Sequence, residues 1–309
     1  MAGAKPDFDT IVRPYGEAAI AEAAALILGG GCVAMPTETV YGLAADATSG
    51  AAVAGIYAAK GRPDFNPLIV HVADLEMARK YAVFNNLAIE LASRYWPGPL
   101  TLVLPRASSS PISSLVTAGL ATIAIRCPAH PAMQALIRAT GTPLAAPSAN
   151  ASGTISPTKA AHVLGTLAGR IPLIIDAEQC EVGIESTIVN VCDDREIRLL
   201  RPGPIDLGLT LYSAGGIEAP GQMASHYAPA KPLRLNALIA EADEWLIGFD
   251  AVRGDANLSS SADVLEAAAH LFDALHQADA SAKPRIAIAP IPQTGIGIAI
   301  NDRLNRAAA

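Results

Sequence analysis

The sequence predicts an α/β protein, with a twisted, open mixed sheet in its first two-thirds and a small parallel α/β unit at its C-terminal end. Short apolar runs alternate irregularly with helix-period segments over about the first 200 residues, the order of a mixed sheet with helices. A stretch rich in Gly, Pro, Ser and Ala then breaks the pattern at residues 202–232. Beyond it, strand candidates lead into a strand–helix–strand–helix order, as in parallel layered units. A chain of 309 residues has room for two such domains.

In chain order, residues 17–28, EAAIAEAAALIL, read as a helix that Gly29-Gly30-Gly31 stops. CVAMP at 32–36 is a short strand running into the polar turn TET. Residues 51–60, AAVAGIYAAK, make a second helix, closed by Gly61 and Pro63. PLIVHV at 67–72 reads as a buried strand, and residues 86–95 as a helix ending at the turn signal WPGP. LTLVLP, ATIAIR, PLAAPS, IPLIID, ESTIVNV and IRLLRP are further strand candidates, with helices at 131–140 and 157–168 among them. Ser156 as N-cap and Pro157 at the first helical position predict the start of the last of these helices. The expected boundaries are 1–203 for the first domain, 204–231 for a linker and 232–309 for the second domain. Such a long connection without periodicity is uncommon unless it is disordered or functional. The second domain offers LRLNA, EWLIGF, a helix at 262–277, RIAIAPIP and a helix at 297–308, read as a three-layer unit.

Hydrophobic residues make up 51% of the chain, much of it alanine, and aromatics only 5%, so the core is built from small side chains. The net charge of -7 argues against holding nucleic acid by charge alone. An anion site here has to be a local cationic pocket in an acidic protein. Cys32, Cys127, Cys180 and Cys192 include no C-x-x-C pair, so no metal site is expected, and they read as free, mostly buried thiols. MAGAKPDFDT lacks the apolar stretch of a leader peptide, and no apolar run approaches the ~18 residues of a membrane span. The expectation is a soluble, cytoplasmic protein with no membrane partner.

No P-loop, H-E-x-x-H or G-x-S-x-G motif occurs, and GIGIAIN at 295–301 does not fit G-x-G-x-x-G. What remains is a set of polar clusters at strand ends. They are Pro36-Thr37-Glu38-Thr39, the stretch KGRPDFNPLIVH from Lys60 to His71, Thr122 through Arg126 with Pro128 and His130, Pro147-Ser148-Ala149-Asn150, Glu185-Ser186-Thr187, Arg201-Pro202-Gly203 and Ser225-His226-Tyr227. Ligands of open α/β sheets sit beyond strand ends. Lys60, Arg62, Arg126 and Arg201 among small hydroxyl and amide side chains would form a pocket for carboxylate or phosphate. Each cluster also has a plainer reading. Lys60-Gly61-Arg62 fits a solvated helix end, Pro147-Ser148 and Pro202-Gly203 ordinary turns, His71 a structural histidine, Ser186-Thr187 plain strand residues and His226-Tyr227 a featureless linker. The joint pattern favours the pocket.

Taken together and in order, PTETVYGLAADA, KGRPDFNPLIVHV, WPGPLTLVLP, IAIRCPAHP, LAAPSANASGTISPT, VGIESTIV, LLRPG and SHYAP closely resemble the threonylcarbamoyl-AMP synthases, whose catalytic part is a YrdC-like domain. ANLS, EAAAHLFDALHQAD and AINDRLNRAA resemble the Rossmann-like extra domain of the long, two-domain type. The resemblance runs from about residue 13 to the end. It implies an enzyme, a nucleotidyltransferase, that makes threonylcarbamoyl-AMP from L-threonine, bicarbonate and ATP and releases pyrophosphate. A partner transferase complex would then modify tRNA next to the anticodon, with no stable tRNA binding expected of this chain. Mg2+ is expected to accompany ATP, with no organic cofactor and no metal held by the protein. The matching motifs assign Thr37, His71, Arg126 and Ser186 to L-threonine, and Lys60 and Arg62 to catalysis on phosphates or the activated carboxylate. They assign Asn66, Thr122, Ser148, Asn150, Ser156, Arg201, His226 and Tyr227, with Arg62, to ATP. Two departures stand out: IIDAEQC replaces a usual Asp-Gly-Gly at Ala177 and Glu178, and Ile298 stands where an acidic residue is common. The rival readings are an RNA-binding module, opposed by the acidic composition, and a related carbamoyl-transfer enzyme, whose zinc-finger or kinase-like partner domains have no counterpart in this sequence.

Overall fold

The computed structural model describes residues 8–63, 66–212, 218–220 and 226–309. The first domain contains β1 (Ile11–Pro14), α1 (Glu17–Leu28), β2 (Val33–Met35), β3 (Gly42–Asp46), α2 (Gly50–Lys60), β4 (Ile69–His71), α3 (Leu75–Ala78) and α4 (Asn86–Tyr95). It continues with β5 (Leu100–Pro105), α5 (Ser114–Thr117), β6 (Thr122–Arg126), α6 (Pro131–Thr140), β7 (Leu144–Ala145), α7 (Ala160–Leu167), β8 (Leu173–Asp176), β9 (Thr187–Asp193) and β10 (Glu196–Arg201). The ten strands form one sheet in the order β1-β8-β2-β3-β7-β4-β6-β5-β9-β10. It is mixed, as predicted: β4 runs parallel to β6 and β5 to β9, while β5–β6 and β9–β10 are antiparallel.

The two faces of this sheet are covered unequally. Val70, Ile123 and Ile125 point into the main core, with α2, α4, α5 and α7 packed over them. On the other face α1 and α6 cover only the β2–β3–β8 side. By the period of two along a strand, Ile69 and His71 of β4 share that second face with Ala124 and Arg126 of β6. Among the described residues no helix lies over them. A small apolar cluster of Ile69, Val103, Ala124, Ile188 and Leu200 is closed instead by Ala219, from the segment joining the two domains.

The second domain has β11 (Leu233–Arg234), β12 (Glu244–Gly248), β13 (Ala256–Asn257), α8 (Val264–Ala280), β14 (Arg285–Ile288) and α9 (Ile296–Ala307). Its strands are all parallel, in the order β11-β14-β12-β13. The expected third layer is replaced by loop. α8 and α9 share one apolar cluster with Ile247, Ile286 and Ile288, whereas the opposite face has only Ala237, Leu246 and Ala287 with Val252. Among the described residues no helix is long and apolar enough to cross a membrane.

The helix expected at 157–168 begins three residues late, at Ala160, and its N-cap, Lys159, makes no side-chain cap. Ser156, the expected cap, spends its hydroxyl on Glu185 instead. α8 starts at Val264 because the Asp263 carboxylate accepts from the amides of Leu265 and Glu266. The strands β1, β3 and β13 and the short helices α3 and α5 are additions to the expected set. GLAAD in β3 has no β-branched residue, and the four residues of β1 are all exposed, so neither carries the strand signal.

The domains meet along α8 and α9, whose cluster also takes in Val40, Ile155, Ile184 and Tyr227. Gly183 makes this approach possible: at φ +75 a Cβ there would lie 2.5 Å from the Ala268 carbonyl oxygen of α8.

Candidate active site

The uncovered face of the large sheet carries an open cavity, about 560 Å³ of empty space counted out into solvent. Of the residues assigned from the sequence, Thr37, Arg62, His71, Arg126, Ser148, Ser186, Arg201, His226 and Tyr227 line it. They arrive from both halves of the chain. The β4–β6 register sets His71 directly beside Arg126. Ser186 precedes β9, and Arg201 ends β10. After Arg201 the chain turns away at Gly203, where a Cβ would sit 2.3 Å from the Thr187 amide nitrogen, so only glycine lets the exit run flush against β9. Pro220, His226 and Tyr227 of the inter-domain segment close the wall. Ser225, expected in the same cluster, lies outside the described residues, as do Asp64 and Phe65 of the KGRPDFN loop.

The other assigned residues lie behind or beyond the lining. Lys60 is fully buried, and its Nζ donates to the carbonyls of Ser148 and Asn150, each at 2.5 Å, and to Asn150 Oδ1 at 3.2 Å. Burial and the neighbouring Arg62 hold its pKa well below the usual lysine value. Asn150 accepts from the Ser148 hydroxyl at 2.6 Å and donates to the Thr154 carbonyl at 2.8 Å, fixing the PSAN turn from inside. Ser156 donates to Glu185. Asn66 is buried, and its carbonyl accepts from Arg62 at 3.4 Å. Thr122 opens β6, four residues from Arg126, or roughly 13 Å along an extended strand.

The lining cations differ in their partners. Arg126 is tethered by three of its N–H groups: Nε to the Gly98 carbonyl at 3.1 Å, Nη1 to Thr39 Oγ1 at 3.0 Å and Nη2 to Glu38 Oε1 at 2.6 Å. An arginine fork has five donors, so one N–H on each terminal nitrogen is left over. Arg201 donates from Nε and Nη2 to the Ser186 carbonyl and from Nη2 to the Ser186 hydroxyl. Arg62 donates to the carbonyls of Asn66 and Pro67. Among the described residues neither Arg62 nor Arg201 has a carboxylate within ion-pair distance. Burial pulls Arg62 down to about 10 and also lowers Arg201. These are desolvated cations in need of an anion.

The imidazoles complement them. Burial drops both His71 and His226 to about 3, so both rings are neutral, and Nδ1 of each is buried without a hydrogen-bond partner among the described residues. Buried polar atoms left unmatched at a cavity are places for a ligand. Tyr227 sits at φ 66, an uncommon backbone state for a non-glycine residue, with its ring buried. Thr37 Oγ1 is occupied by its own turn: it donates to the Val40 carbonyl at 2.6 Å and accepts from the amides of Thr39 and Val40.

Sequence reasoning missed Thr39, Glu38 and Glu185 as individual site residues, although each stands inside a motif it singled out. Burial works to raise the Glu38 and Glu185 carboxyls, but Arg126 for the first, and Arg303 with Arg201 for the second, hold both below the usual range. Arg303, on α9, carried no signal of its own. Of the two departures, Glu178 adopts a left-handed backbone, φ 63, and its carbonyl accepts from the Tyr41 hydroxyl at 2.9 Å. Ile298 stands partly exposed on α9.

Residues 25–203 match the family model of the Sua5/YciO/YrdC proteins, described as "Telomere recombination", and residues 205–309 match the threonylcarbamoyl-AMP synthase C-terminal domain. This chain belongs to the Sua5 family. The threonylcarbamoyl-AMP synthase of Bacillus subtilis is 42% identical, over 94% of this chain and 92% of its own length. That of Pyrococcus abyssi is 37% identical over 93% of each. The crystal structure of P. abyssi Sua5 complexed with L-threonine superposes with a TM-score of 0.89 at 36% identity, covering 97% of both chains. The Sua5 fold thus accounts for both sheets, the mixed one and the small parallel one.

Proposed function

We propose that this chain condenses L-threonine, bicarbonate and ATP into threonylcarbamoyl-AMP and pyrophosphate. The observation that carries the reading is the convergence of seven separate motifs, PTET to HYAP, on one cavity holding two arginines without a carboxylate partner among the described residues. The likeness to curated synthases over nearly the whole chain agrees with it.

The threonine amine nitrogen bonds to the carbon of bicarbonate, with loss of water, giving an N-carboxylate. An oxygen of that carboxylate attacks the α-phosphorus of ATP, and the bond to the β-phosphate oxygen breaks as pyrophosphate leaves. No protein nucleophile takes part, so the residues have to position the reactants and neutralise charge. Arg126, already oriented by Gly98, Thr39 and Glu38, offers its spare N–H pair to the threonine carboxylate. His71, neutral and one strand away, accepts from the threonine amine without adding positive charge beside it. Arg62 and Arg201 meet the phosphates, with Ser148, His226 and Tyr227 on the nucleotide side. Lys60 acts from behind the lining, bracing the Ser148–Asn150 turn. Glu38 and Glu185 are each committed to an arginine, so Mg2+ would be held by the ATP phosphates that bring it. The product then passes to a transferase complex acting on tRNA, a division of labour that fits a carrier of net charge -7.

The test is incubation with L-threonine, bicarbonate and labelled ATP. Pyrophosphate release that needs both threonine and bicarbonate is expected. Release in the absence of both would make the protein a plain ATPase and overturn the reading.

A further inference from the structure

One side chain of the second domain holds a charged residue of the cavity lining. Arg303 of α9 is fully buried. Its Nε donates to Glu185 Oε2 at 2.9 Å, and its Nη1 donates to the Pro202 carbonyl at 2.8 Å and to Asp302 Oδ2 at 2.9 Å. Its guanidinium carbon lies 5.5 Å from the centre of the Tyr227 ring. Two turns of the same helix bind the wall twice, since the Arg306 carbonyl accepts from the His226 amide at 3.1 Å. Burial works against the charge of Arg303, yet Tyr227, Glu185 and Asp302 together hold its pKa above the usual arginine value.

Glu185 is the carboxylate that matters. It lines the cavity and is buried close enough to Arg201 to feel its charge. Its two oxygens are held by Ser156 on one side and Arg303 on the other. We infer that Arg303 is a positioning residue for ATP: it keeps Glu185 turned from the cavity cations, so that they stay available to phosphate. Without it, Glu185 is left as a buried carboxylate next to Arg201, and its best new partner is the arginine that phosphate needs. A self-supplied anion then competes with the substrate. The second domain is by this account part of the nucleotide site rather than an appendage.

This inference rests on the ATP reading above. It is tested in the full-length protein with Arg303→Met, Arg303→Lys and the double variant Arg303→Met/Glu185→Gln, by steady-state pyrophosphate release and by direct binding of ATP and of L-threonine. The expected result for Arg303→Met is a KM for ATP raised by about tenfold or more, with threonine affinity changed far less. The double variant, which lacks the competing carboxylate, should recover most of the ATP affinity, and Arg303→Lys should fall between. A lowered rate that tracks the folded fraction, with KM for ATP unmoved, would overturn it and leave Arg303 as a fold residue. So would a double variant as weak for ATP as the single one. If the parent protein releases no threonine-dependent pyrophosphate, the reading of the reaction fails instead, and the ATP-binding arm still decides the fate of Arg303.

Discussion

Two buried arginines sit on either side of the cavity wall, and their surroundings have opposite effects. Arg62 faces the cavity, donates to the carbonyls of Asn66 and Pro67 and has no carboxylate partner among the described residues, and burial pulls it down to about 10. Arg303, on the far side, meets Glu185, Asp302 and the Tyr227 ring, and its pKa is held above the usual value despite burial. The same residue type is a vacancy for an anion in one place and a fastening in the other. Burial and residue identity are the same for these two; the matched carboxylate is what separates them.

The sharpest way to break this comparison is to remove each arginine and read stability and activity separately. Losing Arg303 leaves Glu185 buried without its main cation, so Arg303→Met should destabilise the fold by about 3–5 kcal/mol in urea melts. Arg62→Ala should do the reverse: kcat/KM for threonine-dependent pyrophosphate release drops by about 10²–10³-fold, while the melting midpoint holds or rises, since an unpaired desolvated charge is gone. Near-normal turnover in that variant would remove Arg62 from the mechanism. Arg126→Lys keeps the charge but not the fork, and a KM for threonine raised roughly tenfold is expected from initial rates; an unchanged KM would mean that the fork does not meet the carboxylate.

Acid provides a milder probe. His71 and His226 titrate near about 3 when folded against 6.5 unfolded, so below pH 6.5 the unfolded chain binds more protons and folding loses ground as pH falls toward 3. Glu38 and Glu185, with depressed pKa values, add to the loss only below their usual 4.5. Urea midpoints should therefore decline between pH 6.5 and 4.5, and His71→Asn should flatten that decline; a midpoint that ignores pH there would show the rings to be protonated in the fold. The smallest effect belongs to the partly exposed Lys159–Asp273 pair at the domain seam, 2.8 Å apart. Lys159→Ala should cost about 1 kcal/mol or less.

Where an element's signal was local, the sequence was a good guide. α4 at Asn86–Tyr95, α6 at Pro131–Thr140 and β5 at Leu100–Pro105 fall on the expected residues, since their apolar spacing and caps lie within the element. Ser156 shows the limit: a serine followed by proline reads as a cap, but the Glu185 carboxylate, 29 residues on, claims its hydroxyl. The site divides the same way. Arg126, His71 and Arg201 announce themselves at strand ends, whereas Arg303 looks like any helix cation until the fold brings Glu185 to it. The retreat of Lys60 behind the lining was equally hidden, because only the folded PSAN turn supplies its carbonyls.

The pairing of His71 with Arg126 across β4 and β6 has one more consequence. A sheet register moves in whole residues, and a slip of one would turn the side chain of the slipping strand to the opposite face, away from its partner. The spacing at the amino-acid end of the cavity therefore behaves like a fixed ruler that evolution or an engineer cannot stretch by degrees. A change of amino-acid substrate has to come from trimming or filling around that ruler, through neighbours such as Thr39 and Ser186, with the ladder itself left alone.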